Sequence, residues 1–166
     1  CAGVILGVDP MDAPVLAAAP ALKAIAKYGV GLDNIDLAAC KERGIRVILD
    51  LVLNHSSSSH PWFLAACDDK FFSRTGETTD WYVFYPEEGN ARHKISGCSW
   101  WYEGQFGSHM PDFNLDSESL RAEFAKIITF WQSHGVGGFR LDVINLISKP
   151  AHFPEDNSDG RRFYTD

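Results

Sequence analysis

The sequence has few cysteines and none of the arrangements in which cysteines usually work together. Its four cysteines, at positions 1, 40, 67 and 98, form no Cys-x-x-Cys pair and no spacing typical of a zinc site. This excludes a disulfide scaffold and a cysteine-based metal centre. It also predicts reduced thiols, as expected of a cytoplasmic protein.

Long apolar runs and clusters of like charge are also missing. No stretch approaches the roughly 18 apolar residues of a membrane span, and no signal-peptide pattern opens the sequence. The net charge is -7 and the 15 Lys and Arg residues are scattered, so neither nucleic acid nor a membrane is expected as a partner. With 45% hydrophobic residues over 166 positions, the chain can form about one globular domain. Its charge is compatible with a small neutral or phosphorylated substrate.

Strand and helix patterns alternate in the first third of the chain, which predicts an α/β fold with a parallel sheet. The second helix should end at Gly44, because glycine adopts the left-handed conformation that closes helices. We expect strands at residues 4–8, 22–28 and 45–53 and helices at residues 12–19 and 36–43.

The middle of the chain, residues 56–113, lacks helical periodicity and is predicted to be a long, irregular excursion. We expect its many Trp and Tyr side chains to hold it together rather than to stack on sugars. Asp116 or Ser117 should then cap a helix. The apolar face of that helix carries Leu120, Phe124, Ile127, Ile128 and Trp131.

Residues 137–144, Gly-Gly-Phe-Arg-Leu-Asp-Val-Ile, have the composition of a short buried strand. Arg140 and Asp142 are two positions apart, so their side chains lie on the same face of such a strand. A guanidinium group there can keep the carboxylate ionised and aim it, as a nucleophile requires. A pair that only fixes strand register is the alternative at this point.

A second polar strand end lies at residues 50–55, Asp-Leu-Val-Leu-Asn-His. In a parallel α/β sheet or barrel, the carboxyl ends of the strands carry the functional site. Asp50, Asn54 and His55 are therefore expected at the same edge as Asp142. A single His at a strand end is more often structural, but two polar strand ends in one chain strengthen both assignments.

These two stretches resemble the first and second signature regions of the α-amylase family of glycoside hydrolases, known as family 13. Residues 110–114, Met-Pro-Asp-Phe-Asn, resemble a further short signature that lies between them in the family, and the order matches. The tail, at residues 142–149 and 159–166, is similar to trehalose-6-phosphate hydrolases and oligo-1,6-glucosidases. The resemblance covers about residues 41–166.

The resemblance implies a role for each matching residue. Asp142 matches the nucleophile, Arg140 its orienting partner, and His55 a ligand of a substrate hydroxyl at the cleaved sugar. Asp50 is expected at the substrate, where it and Asn54 match positions that hold the site together. Asn54 is a calcium ligand in some members, so calcium is left open, although no cofactor is otherwise expected.

The family's chemistry is retaining hydrolysis of α-glucosidic bonds. A carboxylate attacks the anomeric carbon while a second carboxyl about 5 Å away protonates the leaving oxygen. In the family this acid is a Glu after the fifth barrel strand, which would lie beyond Asp166. Glu155 and Asp156 lack that strand context, so we expect the chain to carry the nucleophile but not the general acid.

The first 44 residues resemble a different family. Residues 23–36 are similar to the substrate-side domain of D-2-hydroxyacid dehydrogenases of the phosphoglycerate dehydrogenase type, a flavodoxin-like fold. We therefore expect a fusion, with a dehydrogenase-like βαβα segment at residues 1–44. A partial (β/α)8 barrel should follow at residues 45–166, with barrel strands 3 and 4 and the excursion at residues 56–113 after strand 3.

Two functions of different classes follow from these patterns. The first is a glycosidase that hydrolyses small, neutral or phosphorylated α-glucosides through Asp142. The second is a non-catalytic α/β segment that binds sugar weakly because the chain, expected to be cut at both ends, supplies no acid. A piece of a dehydrogenase ranks below both. Half a barrel exposes strand edges, so self-association is also expected.

Overall fold

A computed structural model describes residues 1–29 and 31–147 of the chain. The strands are β1 (Gly3–Leu6), β2 (Ala24–Lys27), β3 (Arg46–Val52), β4 (Phe84–Tyr85), β5 (Arg92–Lys94), β6 (Trp101–Glu103) and β7 (Val136–Asp142). The helices are α1 (Ala13–Ala18), α2 (Leu37–Glu42), α3 (Pro61–Phe71) and α4 (Glu118–Ser133), and a 3-10 turn follows β7 at Ile144–Leu146. No helix in this described part is long and apolar enough to cross a membrane.

These elements form two compact units. Unit 1 comprises Cys1–Leu51 and Ala125–Asp142. Unit 2 comprises Val52–Phe124 and the described residues that follow Asp142.

Unit 1 is built on a sheet with the strand order β1-β2-β3-β7. The first three strands are parallel, with Leu6 opposite Lys27 and Ala26 opposite Ile48. Strand β7 runs in the same direction, because Gly138 lies beside Ile48 and Arg140 contacts Asp50. The parallel sheet predicted from the alternating pattern is confirmed.

The helices of unit 1 begin and end where the sequence predicts. Asp12 caps α1 by accepting a hydrogen bond from the Val15 amide, and Asp36 does the same for α2 with the Ala39 amide. Gly44 ends α2 with a φ of +66°, a conformation that glycine adopts without strain.

One face of this sheet is buried and the other is open. Ile25, Val47 and Leu49 point to the buried face, and each fully buried aliphatic side chain contributes roughly 1.5–3 kcal/mol. The same cluster contains Leu6, Met11, Leu16, Leu22, Leu32, Ile35, Cys40, Ile45 and Val136. The open face has a cavity of about 260 Å³ lined by Gly3, Val4, Ile5, Ala24, Ala26 and Ile48.

The strand order corrects the expectation of a flavodoxin-like segment at residues 1–44. In a flavodoxin-like sheet the third strand pairs with the first. Here β3 pairs with β2, so the strands follow chain order, as they do in a barrel.

Strand β7 is less buried than the apolar run at residues 137–144 predicted. Leu141 is 43% exposed, and among the described strands β7 pairs only with β3. The strand also ends earlier than expected, because Val143 has a left-handed φ of 48° and Ile144 begins the 3-10 turn.

Residues 56–113, predicted to be an irregular excursion, contain regular secondary structure. Their first part folds into α3, and three short strands form an antiparallel sheet in the order β4-β6-β5. The strands have only two or three residues each, which is too short for alternation to show in the sequence.

Aromatic side chains form the core of unit 2, as expected. The Phe63 ring of α3 lies edge-on to Tyr82 at 5.0 Å and to Tyr102 at 4.8 Å between centroids. Trp62 packs against buried Trp81 in the same geometry at 4.7 Å. Edge-to-face pairs of this kind each add about 0.5–1.5 kcal/mol to the burial of the rings.

Helix α4 begins at the predicted cap. The Ser117 hydroxyl accepts a hydrogen bond from the Leu120 amide at 3.4 Å, which decides between Asp116 and Ser117. Leu120 and Phe124 are buried, as the predicted apolar face requires.

Candidate active site

Arg140 lies between two carboxylates in unit 1. Its Nη1 donates hydrogen bonds to Asp50 Oδ1 at 2.9 Å and to Asp50 Oδ2 at 3.1 Å. The same nitrogen lies 2.6 Å from Asp142 Oδ1. The two-residue spacing in β7 therefore places Arg140 and Asp142 on one face, as predicted, and parallel pairing with β3 adds Asp50.

The electrostatics of this group follow from these contacts. Hydrogen bonding to Asp50, together with the charges of Asp50 and Asp142, raises the pKa of the Arg140 guanidinium above its ordinary value. The Arg140 side chain is 60% exposed, whereas those of Asp50 and Asp142 are 13% and 24% exposed. The cation is thus permanent, and the two carboxylates it contacts are the more enclosed partners.

Asp142 ends β7 and the chain turns sharply after it. Val143 has φ 48° and ψ 39°, a left-handed conformation that is rare for a β-branched residue. Backbone strain of this kind costs on the order of 1–3 kcal/mol and is concentrated at functional sites.

A second polar group lies in unit 2, directly after β3. Asn54 is fully buried, and its Nδ2 donates to His55 Nδ1 at 3.2 Å and to Asp112 Oδ1 at 3.3 Å. The backbone bridges His55 and Asp112 as well, so the signature at residues 110–114 packs against the end of the first signature.

The His55 ring also faces an aromatic side chain that the sequence did not indicate. The Phe106 ring lies with its centroid 5.4 Å from that of His55 and is 41% exposed. The loop that carries it follows β6, whose last residue, Glu103, accepts a hydrogen bond from the Asp112 amide. Phe106 could not be found from spacing, because it belongs to no periodic pattern.

Neither group has the composition of a metal centre. Among the described residues, no cluster of three or more His, Cys, Asp or Glu side chains could hold a metal ion. Calcium takes six to eight oxygen ligands, and the two hydrogen bonds of Asn54 described above involve its amide nitrogen, not the side-chain oxygen that would bind a metal. The calcium expectation for Asn54 thus depends on the family resemblance alone.

The tail at residues 148–166, which includes Glu155 and Asp156, lies outside the described residues.

Asp50 was expected to meet the substrate or to hold the site together, but its direct bond to Arg140 was not predicted. The signal was available in the sequence. Asp50 and Arg140 lie at the ends of two strands of a parallel sheet, so pairing of those strands brings them to one edge.

Comparison with known proteins identifies the family to which the chain is similar. A family model described as alpha amylase, catalytic domain, matches residues 25–166. Trehalose-6-phosphate hydrolase of Escherichia coli (strain K12) is 42% identical over 152 residues, which cover 84% of this chain and 27% of the relative. Glucan 1,6-alpha-glucosidase of Streptococcus pneumoniae serotype 4 is 36% identical over 137 residues, which cover 76% of this chain and 25% of the relative.

A solved structure agrees with these relatives. The trehalose-6-phosphate hydrolase of Bacillus licheniformis is similar with a TM-score of 0.76 and 26% identity, over 99% of this chain and 39% of that chain. The chain spans about a quarter of the length of the curated relatives named above.

The family match also corrects one boundary. It begins at residue 25, whereas the α-amylase resemblance was expected to begin near residue 41. Residues 25–44, expected to be dehydrogenase-like, are therefore included in the match. The chain belongs to the alpha-amylase family of glycoside hydrolases.

Proposed function

We propose that the chain carries the nucleophilic half of a retaining α-glucosidase site, with Asp142 as the nucleophile. The observation that supports this most is the contact of one nitrogen, Arg140 Nη1, with both Asp50 and Asp142. This bridge engages Asp142 Oδ1, so Oδ2 is the oxygen directed at the anomeric carbon. Arg140 and Asp50 are positioning residues in this proposal.

The reaction requires two carboxyl groups about 5 Å apart in retaining enzymes. Asp142 Oδ2 would form the bond to the anomeric carbon as the bond to the leaving oxygen breaks, and the general acid would protonate that oxygen. Both carboxylate oxygens of Asp50 accept hydrogen bonds from Arg140 Nη1, so we propose a positioning role for Asp50 and not that of the acid. We propose that a residue outside positions 1–166 supplies the acid.

The proposed substrates are small α-glucosides, neutral or phosphorylated. Support comes from the relatives, which are named as a hydrolase of trehalose 6-phosphate and a glucan 1,6-alpha-glucosidase. The role of His55 as a ligand of a substrate hydroxyl stays a prediction from the family resemblance. A cytoplasmic location stays a prediction from the sequence.

A substrate that needs no acid tests the nucleophile by itself. An α-glucosyl fluoride with a second fluorine on the ring loses fluoride without protonation and leaves a long-lived glycosyl ester. We expect mass spectrometry to find this ester on Asp142 of the chain, and no label on Asp142→Asn. Labelling at the same rate in both proteins would refute the assignment.

The non-catalytic alternative has one observation in its favour, which is the 60% exposure of Arg140. An enclosed site would strengthen the bridge by excluding water. Sugar binding without any labelling of Asp142 would select this alternative.

A further inference from the structure

Two cysteines lie on neighbouring parts of unit 2. Cys67 is on α3, and Cys98 is in the loop of residues 95–100, which joins β5 to β6. Both thiols are free and half-buried. The loop is closed by the Ile95 amide, which donates to Trp100 O at 3.0 Å. Neither cysteine has a role in the proposed glycosidase site.

Contacts on both sides of Cys98 place this loop against α3. A Cβ atom at Gly97 would lie 3.4 Å from the Phe71 ring. The Lys70 ammonium lies over the Trp100 ring, 4.3 Å from its centroid. Gly97 and Trp100 lie on either side of Cys98 in the chain, so Cys98 is held at the surface of the helix.

The face of α3 that meets the loop also carries Cys67. Cys67 precedes Lys70 by three positions and Phe71 by four, and residues with these spacings are neighbours on one side of a helix. Burial raises the pKa of the Cys67 thiol to about 12, with smaller contributions from Asp68 and Cys98. An electrostatic interaction between the two thiols requires them to be close, in agreement with the contacts of the loop.

A tight turn fixes the backbone at Cys98. The Cys98 amide donates to Ile95 O at 3.2 Å, and Gly97, the third residue of that turn, has a φ of 73°. Glycine adopts this left-handed conformation without strain, as at the third position of type II turns. Cys98 is therefore presented by an ordered turn that packs on the helix.

We propose that Cys67 and Cys98 form a reversible disulfide when a low-molecular-weight disulfide such as glutathione disulfide oxidises the chain. The Cys98 thiolate attacks one sulfur of glutathione disulfide, and one glutathione leaves as its thiolate. Cys67 then gives up its proton, attacks the Cys98 sulfur and releases the second glutathione. Two thiols of the chain are thereby oxidised, and one disulfide of the oxidant is reduced to two thiols.

The order of the two attacks follows from the surroundings of the thiols. Ser96, Gly97 and Ser99 are exposed around Cys98, so glutathione disulfide can approach this sulfur. Burial keeps the Cys67 thiol protonated, so Cys67 is a poor first nucleophile and reacts once the Cys98 sulfur is activated beside it.

The bond would fasten α3 to the hairpin of β5 and β6. A disulfide that closes a loop of about 30 residues stabilises a fold mainly by restricting the unfolded chain. Oxidation would therefore stabilise unit 2, and a thiol reductant would reverse the effect. The proposal is independent of the proposed glycosidase function.

Incubation of the whole chain with glutathione disulfide, followed by tryptic mass mapping without reductant, tests the proposal. Each of the four cysteines falls on a different tryptic peptide, and those of Cys67 and Cys98 are residues 47–70 and 95–121. We expect these two peptides to be joined in the parent chain. Mixed disulfides without this link, or a link that forms only in urea, would overturn the proposal.

Single substitutions test the order of attack. Cys67→Ser should retain one glutathione on Cys98, because the second step is missing, whereas Cys98→Ser should leave Cys67 unmodified. Cys1→Ser, at an exposed position of unit 1, should form the link as the parent does. A link between Cys67 and Cys98 that is slower to form than mixed disulfides at Cys67 would contradict this order and overturn the proposal.

Thermal unfolding supplies a second readout that needs no variant to fold. The oxidised parent should melt about 5–10 °C above the reduced parent, and dithiothreitol should remove the difference. The same treatment of Cys98→Ser should produce no rise. An equal rise in the parent and in Cys98→Ser would show that the effect does not come from this pair.

Discussion

Arg140 and Asp50 are 90 positions apart in the chain, yet Arg140 Nη1 lies 2.9 Å from Asp50 Oδ1. The same nitrogen contacts Asp142 Oδ1. The orientation of the proposed nucleophile thus depends on Asp50, which lies in the neighbouring strand β3. A change at Asp50 should reach Asp142 through Arg140.

Substitution of Arg140 should slow the labelling of Asp142 by the fluoro-sugar. Arg140→Met removes the bridge, and we expect a rate about 100-fold lower, since a misplaced reacting group costs about that much. Arg140→Lys should recover part of the rate, because one nitrogen serves both carboxylates. Asp50→Asn should lie between the parent and Arg140→Met. Arg121→Met is the control, since Arg121 lies in unit 2; equal rates in all variants would contradict the bridge.

Unit 2 should lose most of its stability when Phe63 is truncated. Phe63 is 4% exposed and contacts two aromatic rings edge-on, so we expect Phe63→Ala to cost about 3–5 kcal/mol. Leu64, the next residue of α3, is 52% exposed, and Leu64→Ala should cost less than about 1 kcal/mol. Urea unfolding followed by tryptophan fluorescence measures both. Equal losses would show that α3 does not pack as described.

Asn54 should be needed for the structure around His55. Asn54→Ala leaves the buried Asp112 carboxylate without the donor at 3.3 Å, and we expect a loss of about 2 kcal/mol. Hydrogen exchange at the Phe113 amide, which is bonded to Asn54 O at 2.8 Å, should speed up in the same variant. Gln132→Ala, at an exposed position of α4, serves as the control. Unchanged exchange at Phe113 would rule out this role.

The stability of unit 2 should fall at alkaline pH. Burial raises the pKa of the Cys67 thiol from 9.0 to about 12, with smaller contributions from Asp68 and Cys98. Burial also raises the pKa of Tyr85 from 10.0 to about 12, and the nearby Glu103 carboxylate adds to the rise. The folded state therefore favours the protonated forms.

This stabilisation is complete below pH of about 9 and is lost as the pH rises through about 12, where the folded groups also ionise. We expect the melting temperature to stay constant up to about pH 9 and to decline at higher pH. Cys67→Ser should flatten the decline, whereas Cys1→Ser, at an exposed position, should not. Identical curves for Cys67→Ser and the parent would contradict the assignment.

Much of unit 1 could be read from the sequence because its signals are local. Asp12, Asp36 and Gly44 mark helix ends by chemistry that acts within one turn. The order of the strands could not be read in this way. Residues 23–36 resemble a dehydrogenase segment locally, but pairing of β2 with β3 is a tertiary choice that the segment does not encode.

Unit 2 was harder to predict because its structure depends on contacts between aromatic residues that are distant in sequence. Phe63 meets Tyr82 and Tyr102 across about 20 and 40 positions, and no periodicity records this. For the site, the two-residue spacing of Arg140 and Asp142 sufficed to place both side chains on one face of β7. The Asp50 contact and the position of Phe106 depended on which strands and loops become neighbours.

The long separation of Asp50 and Arg140 also affects the order in which the chain folds. The bridge joins residues 90 positions apart and is therefore among the most non-local contacts of the chain. Closing such a loop costs conformational entropy before the contact that stabilises it can form. Unit 2 occupies most of that loop and has an aromatic core of its own. If it folds first, the effective loop becomes much shorter, and the excursion between the two signatures serves as a folding aid for the site.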